Sequence, residues 1–241
     1  KTMTAHVEGY YKNPQENFEH AYDLIINTQS HDELICMLKS GNIVQKQLAA
    51  LKLDKVLNRE EAFVLINNLT GQDGKVREAV SLKISELMQD KTLSELFQPE
   101  ENLQTFLDAI IDINGNICRN IISALSNLKY NKKFCEIFTL ELLKRTLQLA
   151  EDIQKFDFQE GKYKVNKEVF KLYWYLETIS QFAEFVQETQ LKEILNITKS
   201  INEYTIREKT AKILTHKFEA EEFAKMRELL KNDTNYYVRR F

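Results

Sequence analysis

The sequence predicts an all-α protein, folded as a right-handed α-solenoid of about five to six antiparallel helical hairpins. Three observations predict it. The 241 residues include only 6 Gly and 2 Pro, well below the ~7% and ~5% of average composition, which argues against a turn-rich all-β fold. Apolar residues recur at helical spacing between start and stop signals. One hairpin pattern then recurs along most of the chain, and such repetition is typical of solenoids.

The helical segments have clear ends. Ser30 and Glu33 have the spacing of a capping box, in which each side chain satisfies a backbone amide at a helix start. The helix that they open stops at Gly41. Pro99 suits the first position of another helix, because the N–H that it lacks would have no partner there. The pair 114–115 closes that segment. Loops this short make neighbouring helices run antiparallel.

The repeated pattern consists of a polar turn, a β-branched residue, usually an arginine, and small or apolar residues one helical turn later. The β-branched position is occupied by Val44, Val76, Ile117, Val169, Ile206 and Val238. The steps between these positions average about 39 residues, near the ~40–47 of two- and three-helix repeats. A single hairpin of this kind cannot bury its apolar face alone, so neighbouring hairpins must stack.

One copy of the pattern has a known counterpart. The stretch Asp73-Gly74-Lys75-Val76-Arg77-Glu78-Ala79 resembles the second-helix signature of HEAT repeats, and the resemblance extends in degraded form over most of residues 32–241. It implies an α-solenoid with the first helix of each pair on the convex side and the second on the concave side. Gln45, Cys118 and Phe170 stand where this signature has an arginine, so a polar ladder through all repeats is not expected.

Residues 154–166 interrupt the repeats. Apolar and polar residues alternate around Glu160-Gly161, which predicts either a small hairpin or an irregular insertion at one edge of the solenoid. We expect residues 1–241 to form a single domain. Because the chain stops at Phe241, one turn into an apparent helix, we expect this end to pack on a partner or to be a cut within a longer protein.

Charge and cysteine content narrow the function classes. The net charge of −3 is spread evenly, so no general attraction to nucleic acid or anionic membrane is expected. No apolar run approaches the ~18 residues of a membrane-spanning helix. Cys36, Cys118 and Cys135 lie within apolar helical patterns and are predicted to be small buried residues, which fits a reducing compartment. We therefore expect a cytoplasmic protein.

The candidate partner-binding residues lie on the predicted second helices: Arg77, Lys83, Arg119, Trp174 and Arg207. Two of these arginines, Arg77 and Arg207, follow an acidic residue by four positions, which suits a local ion pair and the helix dipole. We favour bracing of the turn against the helix for both pairs, Asp73 with Arg77 and Glu203 with Arg207. The alternative is a row of guanidinium groups that faces an anionic partner.

The densest aromatic segment is 166–186. Its apolar residues form two offset stripes, which is expected of a helix packed between neighbouring repeats. The alternative is an exposed apolar patch, for which Trp174 would be the anchor, because Trp is enriched among binding hot spots.

No pattern for a metal, a cofactor or a catalytic group is found. The four histidines form no His-x-x-x-His pair, and no Gly-rich phosphate loop, Gly-x-Ser-x-Gly or Cys-x-x-Cys motif occurs. The basic clusters 129–133 and 239–240 have aromatic neighbours and could contact phosphate. Solvated surface charge is the favoured interpretation of both, given the net negative charge.

We therefore predict a non-enzymatic scaffold that binds a protein or peptide partner on the concave second-helix face. Two alternatives stay open. The chain resembles the alkyl-base DNA glycosylases in size and repeat class, and Trp174 with Glu177 would be the residues to test for that chemistry. Some HEAT-like proteins are chromophore lyases or chaperone-like subunits, but no residue here points to that activity.

Overall fold

The computed structural model describes residues 21–156 and 162–241, and within these ranges every regular element is a helix. This confirms the all-α class. The chain divides into two compact units, one ending at Leu128 and the other beginning at Lys129. The extent of the single predicted domain stays a prediction. No helix in the described ranges combines the length and the apolar character that a membrane crossing needs.

The described part of the first unit continues from a helical stretch at residues 21–26 into seven α-helices and two 3₁₀ turns. The elements are α1 (His31–Ser40), α2 (Ile43–Lys52), α3 (Arg59–Asn67), α4 (Gly74–Leu87), α5 (Lys91–Ser94), 3₁₀ turns at Glu95–Phe97 and Glu100–Asn102, α6 (Leu103–Ile110) and α7 (Gly115–Ser126).

Polar side chains begin these helices, as the sequence indicates. Ser30 and Glu33 form the predicted capping box at α1, and Asn42 forms a second one with Gln45 at α2. Pro99 differs from its prediction, because it precedes a 3₁₀ turn and α6 begins only at Leu103. With ψ at 137°, Pro99 is extended and lies outside the helix that it introduces.

Each hairpin of the first unit packs beside the next in two rows. The pairs α1–α2, α3–α4 and α6–α7 are the hairpins. The first helices form one row, α1 against α3 and α3 against α6, and the second helices form another, α2 against α4 and α4 against α7. The side chains between the rows are fully buried, including Leu38, Leu65, Phe97, Phe106 and Ile121. Neighbouring hairpins thus supply the apolar contacts that one hairpin lacks.

The second unit repeats this arrangement, and its first two helices are longer than any helix of the first unit. Its elements are α8 (Lys132–Gln154), α9 (Lys162–Gln181), a 3₁₀ turn at Ala183–Phe185, α10 (Glu188–Thr198), α11 (Tyr204–Ile213), α12 (Glu221–Lys231) and α13 (Tyr236–Arg239). The rows are α8–α10–α12 and α9–α11–α13. Phe138 and Phe182 meet edge to face in the core of this unit, with ring centroids 5.1 Å apart.

The predicted hairpin or insertion at 154–166 falls between α8 and α9. Residue 154 ends α8, and residues 162–166 are already helical, so the alternating pattern forms no strand over these positions. A helical pattern that continues from 162 into the buried apolar positions of α9 overrides the short alternation. The centre of the predicted hairpin, residues 157–161, lies outside the described residues.

Candidate functional site

Arg77 links two hairpins of the first unit. It lies on α4, and its Nε and Nη2 donate to the two carboxylate oxygens of Asp112 at 2.8 and 3.2 Å. Its Nη1 donates to the carbonyl of Gln72 at 2.6 Å. Asp112 in turn accepts the backbone amide of Asn114, the N-cap of α7, at 2.9 Å. A bidentate arginine–carboxylate pair is strong and directional, so this contact braces α4 against the turn before α7.

The same brace recurs in the second unit. Arg207 on α11 donates from Nε and Nη2 to Asp233 at 2.8 and 3.2 Å, and from Nη1 to the carbonyl of Ile201 at 3.0 Å. Asp233 accepts the amide of Asn235, the N-cap of α13. The hydrogen bonds from Arg207 lower the pKa of Asp233. The same arginine–aspartate pair therefore joins neighbouring hairpins at two places in the chain.

The expected local ion pairs are replaced by these longer-range ones. Asp73 caps α4 by accepting the amide of Lys75 at 2.9 Å, and Glu203 caps α11 by accepting the amide of Thr205. Both carboxylates thus bond to free amides at a helix start, and Arg77 and Arg207 turn to an aspartate in the following turn. Both arginines do brace a turn, but the predicted partners Asp73 and Glu203 are wrong, since the carboxylates come from Asp112 and Asp233.

Lys83 and Arg119 differ in their surroundings. The Lys83 side chain is only 11% exposed, and its Nζ lies 2.9 Å from Glu86. Arg119 is exposed, and its Nη2 donates to Asn116 at 2.8 Å. Of the two, Arg119 is the one that faces solvent on a second helix.

Arg119 belongs to an exposed surface shared by two adjacent second helices. We call it the α4–α7 face, and its members are Lys75, Leu82 and Glu86 on α4 and Asn116, Arg119 and Ser123 on α7. Leu82 is 40% exposed. Glu78 accepts hydrogen bonds from Asn114 and Asn116 at 3.1 and 3.0 Å. Ser81 accepts one from Asn120, so three bonds hold the two helices together.

Trp174 lies in the core of the second unit. It is 7% exposed, and its ring meets Phe170 and Tyr173 edge to face at 6.2 and 5.3 Å. Leu172, Leu176 and Ile179 on the same helix are fully buried. This burial favours packing between helices over an exposed aromatic patch in the segment 166–186.

Glu177, one turn after Trp174, is held by cations. Lys209 and Lys212 donate to its carboxylate at 2.6 and 2.8 Å, and Gln181 adds a third hydrogen bond. Burial would raise the pKa of Glu177, but the hydrogen bonds from the two lysines outweigh it and lower the pKa to about 2. Lys209 also lies 4.7 Å from the ring centroid of Tyr173. The cluster ties α9 to α11 through a carboxylate that is ionised at neutral pH.

The cysteines only partly match their prediction. Cys118 and Cys135 are buried, whereas Cys36 is exposed. Burial raises the pKa of Cys118 to about 12 and that of Cys135 to about 11. Cys118 occupies a position where the HEAT signature has arginine, and its thiol donates to the carbonyl of Asp112 at 3.1 Å. It therefore contacts the same turn that the Arg77 brace holds.

The structure also shows an aromatic surface that the repeat pattern does not single out. Tyr204, Tyr236, Tyr237 and Phe241 are 40%, 65%, 50% and 39% exposed. The rings of Tyr204 and Tyr237 stack with centroids 6.2 Å apart. The sequence signal for this surface is the run of aromatic residues beside the basic cluster 239–240, for which solvated charge is the favoured interpretation.

Neither chemistry nor similarity assigns an activity. Within residues 21–156 and 162–241, no group of three or more His, Cys, Asp or Glu side chains is arranged to hold a metal ion. In comparisons with known proteins, no family model, no curated protein and no solved structure matches this chain.

Proposed function

We propose that each unit is a short right-handed α-solenoid of HEAT-like hairpins. Two features support this proposal: the separate rows of first and second helices in each unit, and the repeated brace from a second-helix arginine to the next turn, Arg77 to Asp112 and Arg207 to Asp233. Stacked hairpins of this kind present extended surfaces that suit the binding of other proteins.

We further propose that the chain is an interaction scaffold, and that the α4–α7 face binds a protein partner. The observation that carries this is Leu82, an exposed apolar side chain among charged and amide groups on two helices that are hydrogen-bonded together. A surface already held in shape loses little conformational freedom on binding. A partner helix or extended segment with an apolar side chain for Leu82 and a carboxylate for Arg119 fits it.

The interaction scaffold is better supported than the DNA glycosylase alternative. That activity would use Trp174 and Glu177, but Trp174 is buried among aromatic rings and the Glu177 carboxylate is bound by two lysines. Neither group is presented to a flipped base. We also propose a reducing, cytoplasmic location, which the three free cysteines support.

Site-specific photo-crosslinking in the full chain tests the scaffold proposal. A photoreactive amino acid replaces Leu82, and the matched control places it at Phe63, which is 46% exposed on the first helix α3. We expect a partner to be captured from the native cells at position 82, not at position 63, and to be lost on Arg119→Glu. Equal capture at both positions, or none at either, contradicts the proposal.

A gel shift with duplex DNA provides the complementary measurement. The scaffold proposal expects no shift even at low salt. A shift that weakens steeply as salt is added would instead favour the DNA-binding alternative, since contacts to phosphate release counterions.

A further inference from the structure

The junction between α2 and the turn before α4 differs from the two arginine braces. Gln45 stands where the braces have their arginine, and its side chain accepts the backbone amide of Asn42, so it caps its own helix. Gly71 stands where the braces have their aspartate, two residues before the N-cap of the following second helix. The α2–α4 junction therefore has neither member of the brace at these positions.

Lys46 supplies a cation at this junction instead. Its Nζ donates to the side-chain oxygens of Asn68 at 2.9 Å and Gln72 at 3.1 Å, and both acceptors are neutral amides. Burial lowers the pKa of Lys46, and no acidic group in residues 21–156 or 162–241 offsets that effect. An ammonium group has three N–H donors, so one donor of Lys46 is left for a further acceptor.

Lys46 lines a cleft of about 440 Å³ that the first two hairpins share. The described residues around it include two lysines, Lys39 and Lys46, and one carboxylate, Asp73, which already caps α4. Lys39 lies 3.9 Å from Glu60, and both side chains are more than half exposed, so this pair is weak. Gly71 leaves the cleft open, because a Cβ there would meet no atom within 4 Å. The cleft therefore has an excess of positive charge.

We propose that this cleft binds a phosphate group, which takes the place of the brace aspartate between α2 and α4. Lysine binds phosphate as a point charge, and a phosphate carries more negative charge than a carboxylate and has enough oxygens to accept from both Lys46 and Lys39. Its charge compensates a partly buried cation whose present partners are neutral amides. Because two hairpins share the cleft, bound phosphate stabilises the packing of the first hairpin on the second.

Thermal melts of the full chain in phosphate and in chloride, at equal ionic strength, test the proposal. We expect phosphate to raise the Tm saturably, by ~4 °C at ten times its dissociation constant. Lys46→Met should lose this rise. Lys55→Met, which removes an exposed lysine outside the cleft, should keep it. The absence of a saturable rise up to ~10 mM phosphate, or an equal rise in Lys46→Met, as a general salt effect would produce, would overturn the proposal.

Two variants at Gly71 keep the test valid even if Lys46→Met folds poorly. Gly71 has a φ of 71°, a conformation that Asp and Asn tolerate better than most side chains. Gly71→Asp places a carboxylate where the other two turns have theirs, so we expect it to abolish the effect of phosphate on the Tm. Gly71→Asn brings the same backbone strain without the charge and should preserve the effect. Equal responses of the two variants would contradict the assignment.

A phosphate monoester, glycerol 2-phosphate, distinguishes the sources of the phosphate group. A larger rise in Tm than with inorganic phosphate would support binding of an esterified phosphate, and a smaller rise would support binding of the free ion. Leu82 and Arg119 do not line this cleft, so the outcome is independent of the crosslinking test of the scaffold proposal.

Discussion

At the scale of single residues, a guanidinium group spans two hairpins twice in this chain. The Arg77 and Arg207 side chains are 18% and 16% exposed, and their aspartates are 9% and 10% exposed. Removing either partner of such a pair leaves a desolvated charge behind, which costs more than the pair itself contributes. These arginines should therefore affect folding more than surface recognition.

Substitution of Arg77 tests this. Arg77→Ala should lower the free energy of unfolding by about 2 kcal/mol, because it strands the Asp112 carboxylate. Arg119→Ala, on the exposed face of the neighbouring helix, should change it by no more than ~0.5 kcal/mol. Urea denaturation followed by circular dichroism measures both. Equal effects of the two variants would contradict the bracing role.

Glu177 provides a pH-dependent prediction. Its pKa is lowered from 4.5 to about 2 in the folded protein, so the folded state favours the ionised form. Its contribution is therefore present above pH 4.5 and is lost as the pH falls toward 2. The urea midpoint of the wild type should exceed that of Glu177→Gln at neutral pH, and the difference should shrink through this range. A difference that stays constant down to pH 2 would refute this assignment.

Which side chains pair with one another is the feature that is hardest to predict from the sequence. The spacing of Asp73 and Arg77 suits a local ion pair, but the sequence does not show that the aspartate will cap its own helix and leave the arginine to Asp112. The exposure of Cys36 has the same origin, since periodicity places a residue near an apolar stripe without showing which neighbour covers it. Only the tertiary contacts decide these two cases.

At the scale of elements, helix ends are more predictable than side-chain partners. Ser30 begins α1 where its side chain predicts, because capping is a local interaction between residues three or fewer positions apart. The predicted start of α6 is wrong, because Pro99 is equally compatible with a 3₁₀ turn before a helix. The start of α9 is not predicted from the sequence. The alternation of apolar and polar residues at 154–166 competes there with a helical pattern that continues into α9.

Alanine substitutions at two glycines near helix ends are expected to change the stability of the fold in opposite directions. A Cβ at Gly41 would lie 2.5 Å from the carbonyl oxygen of Met37 and 2.8 Å from Cβ of Gln45, so Gly41→Ala should destabilise the fold by ~1–3 kcal/mol. At Gly74, the first residue of α4, the nearest atom is 3.9 Å away. Gly74→Ala should therefore stabilise it by ~0.5–1 kcal/mol. Thermal melts of both variants would show shifts of opposite sign, and shifts of the same sign would contradict this interpretation of the turns.

At the scale of the whole molecule, composition and periodicity are sufficient for the all-α class. Few glycines and prolines, together with capped apolar stripes, leave helices as the only regular element to expect. The sequence predicts the partner-binding side chains less well than it predicts the fold class. Of the five side chains predicted to bind a partner, Arg77, Lys83, Trp174 and Arg207 are largely covered and Arg119 is exposed. The pattern of one helix shows which side chains point away from its apolar face. It does not show which of those side chains the next hairpin covers.

Thiol reactivity reports on the integrity of both units. In the native protein, Ellman's reagent should modify Cys36 alone, because Cys118 and Cys135 are buried and have raised pKa values of about 12 and about 11. All three cysteines should react in denaturant. Cys36→Ser serves as the control and should show no fast phase. Rapid reaction of Cys118 or Cys135 in the native state would mean that the packing around them opens readily.

The position of the aspartate in each brace has a genetic consequence. The arginine belongs to one hairpin and its carboxylate to the turn inside the next. A gene segment that encodes one hairpin alone therefore does not encode a complete brace. Loss of the α6–α7 hairpin, even with both breakpoints at equivalent points, would remove Asp112 and leave Arg77 without its carboxylate. Loss of the last hairpin would do the same to Arg207, because Asp233 belongs to it.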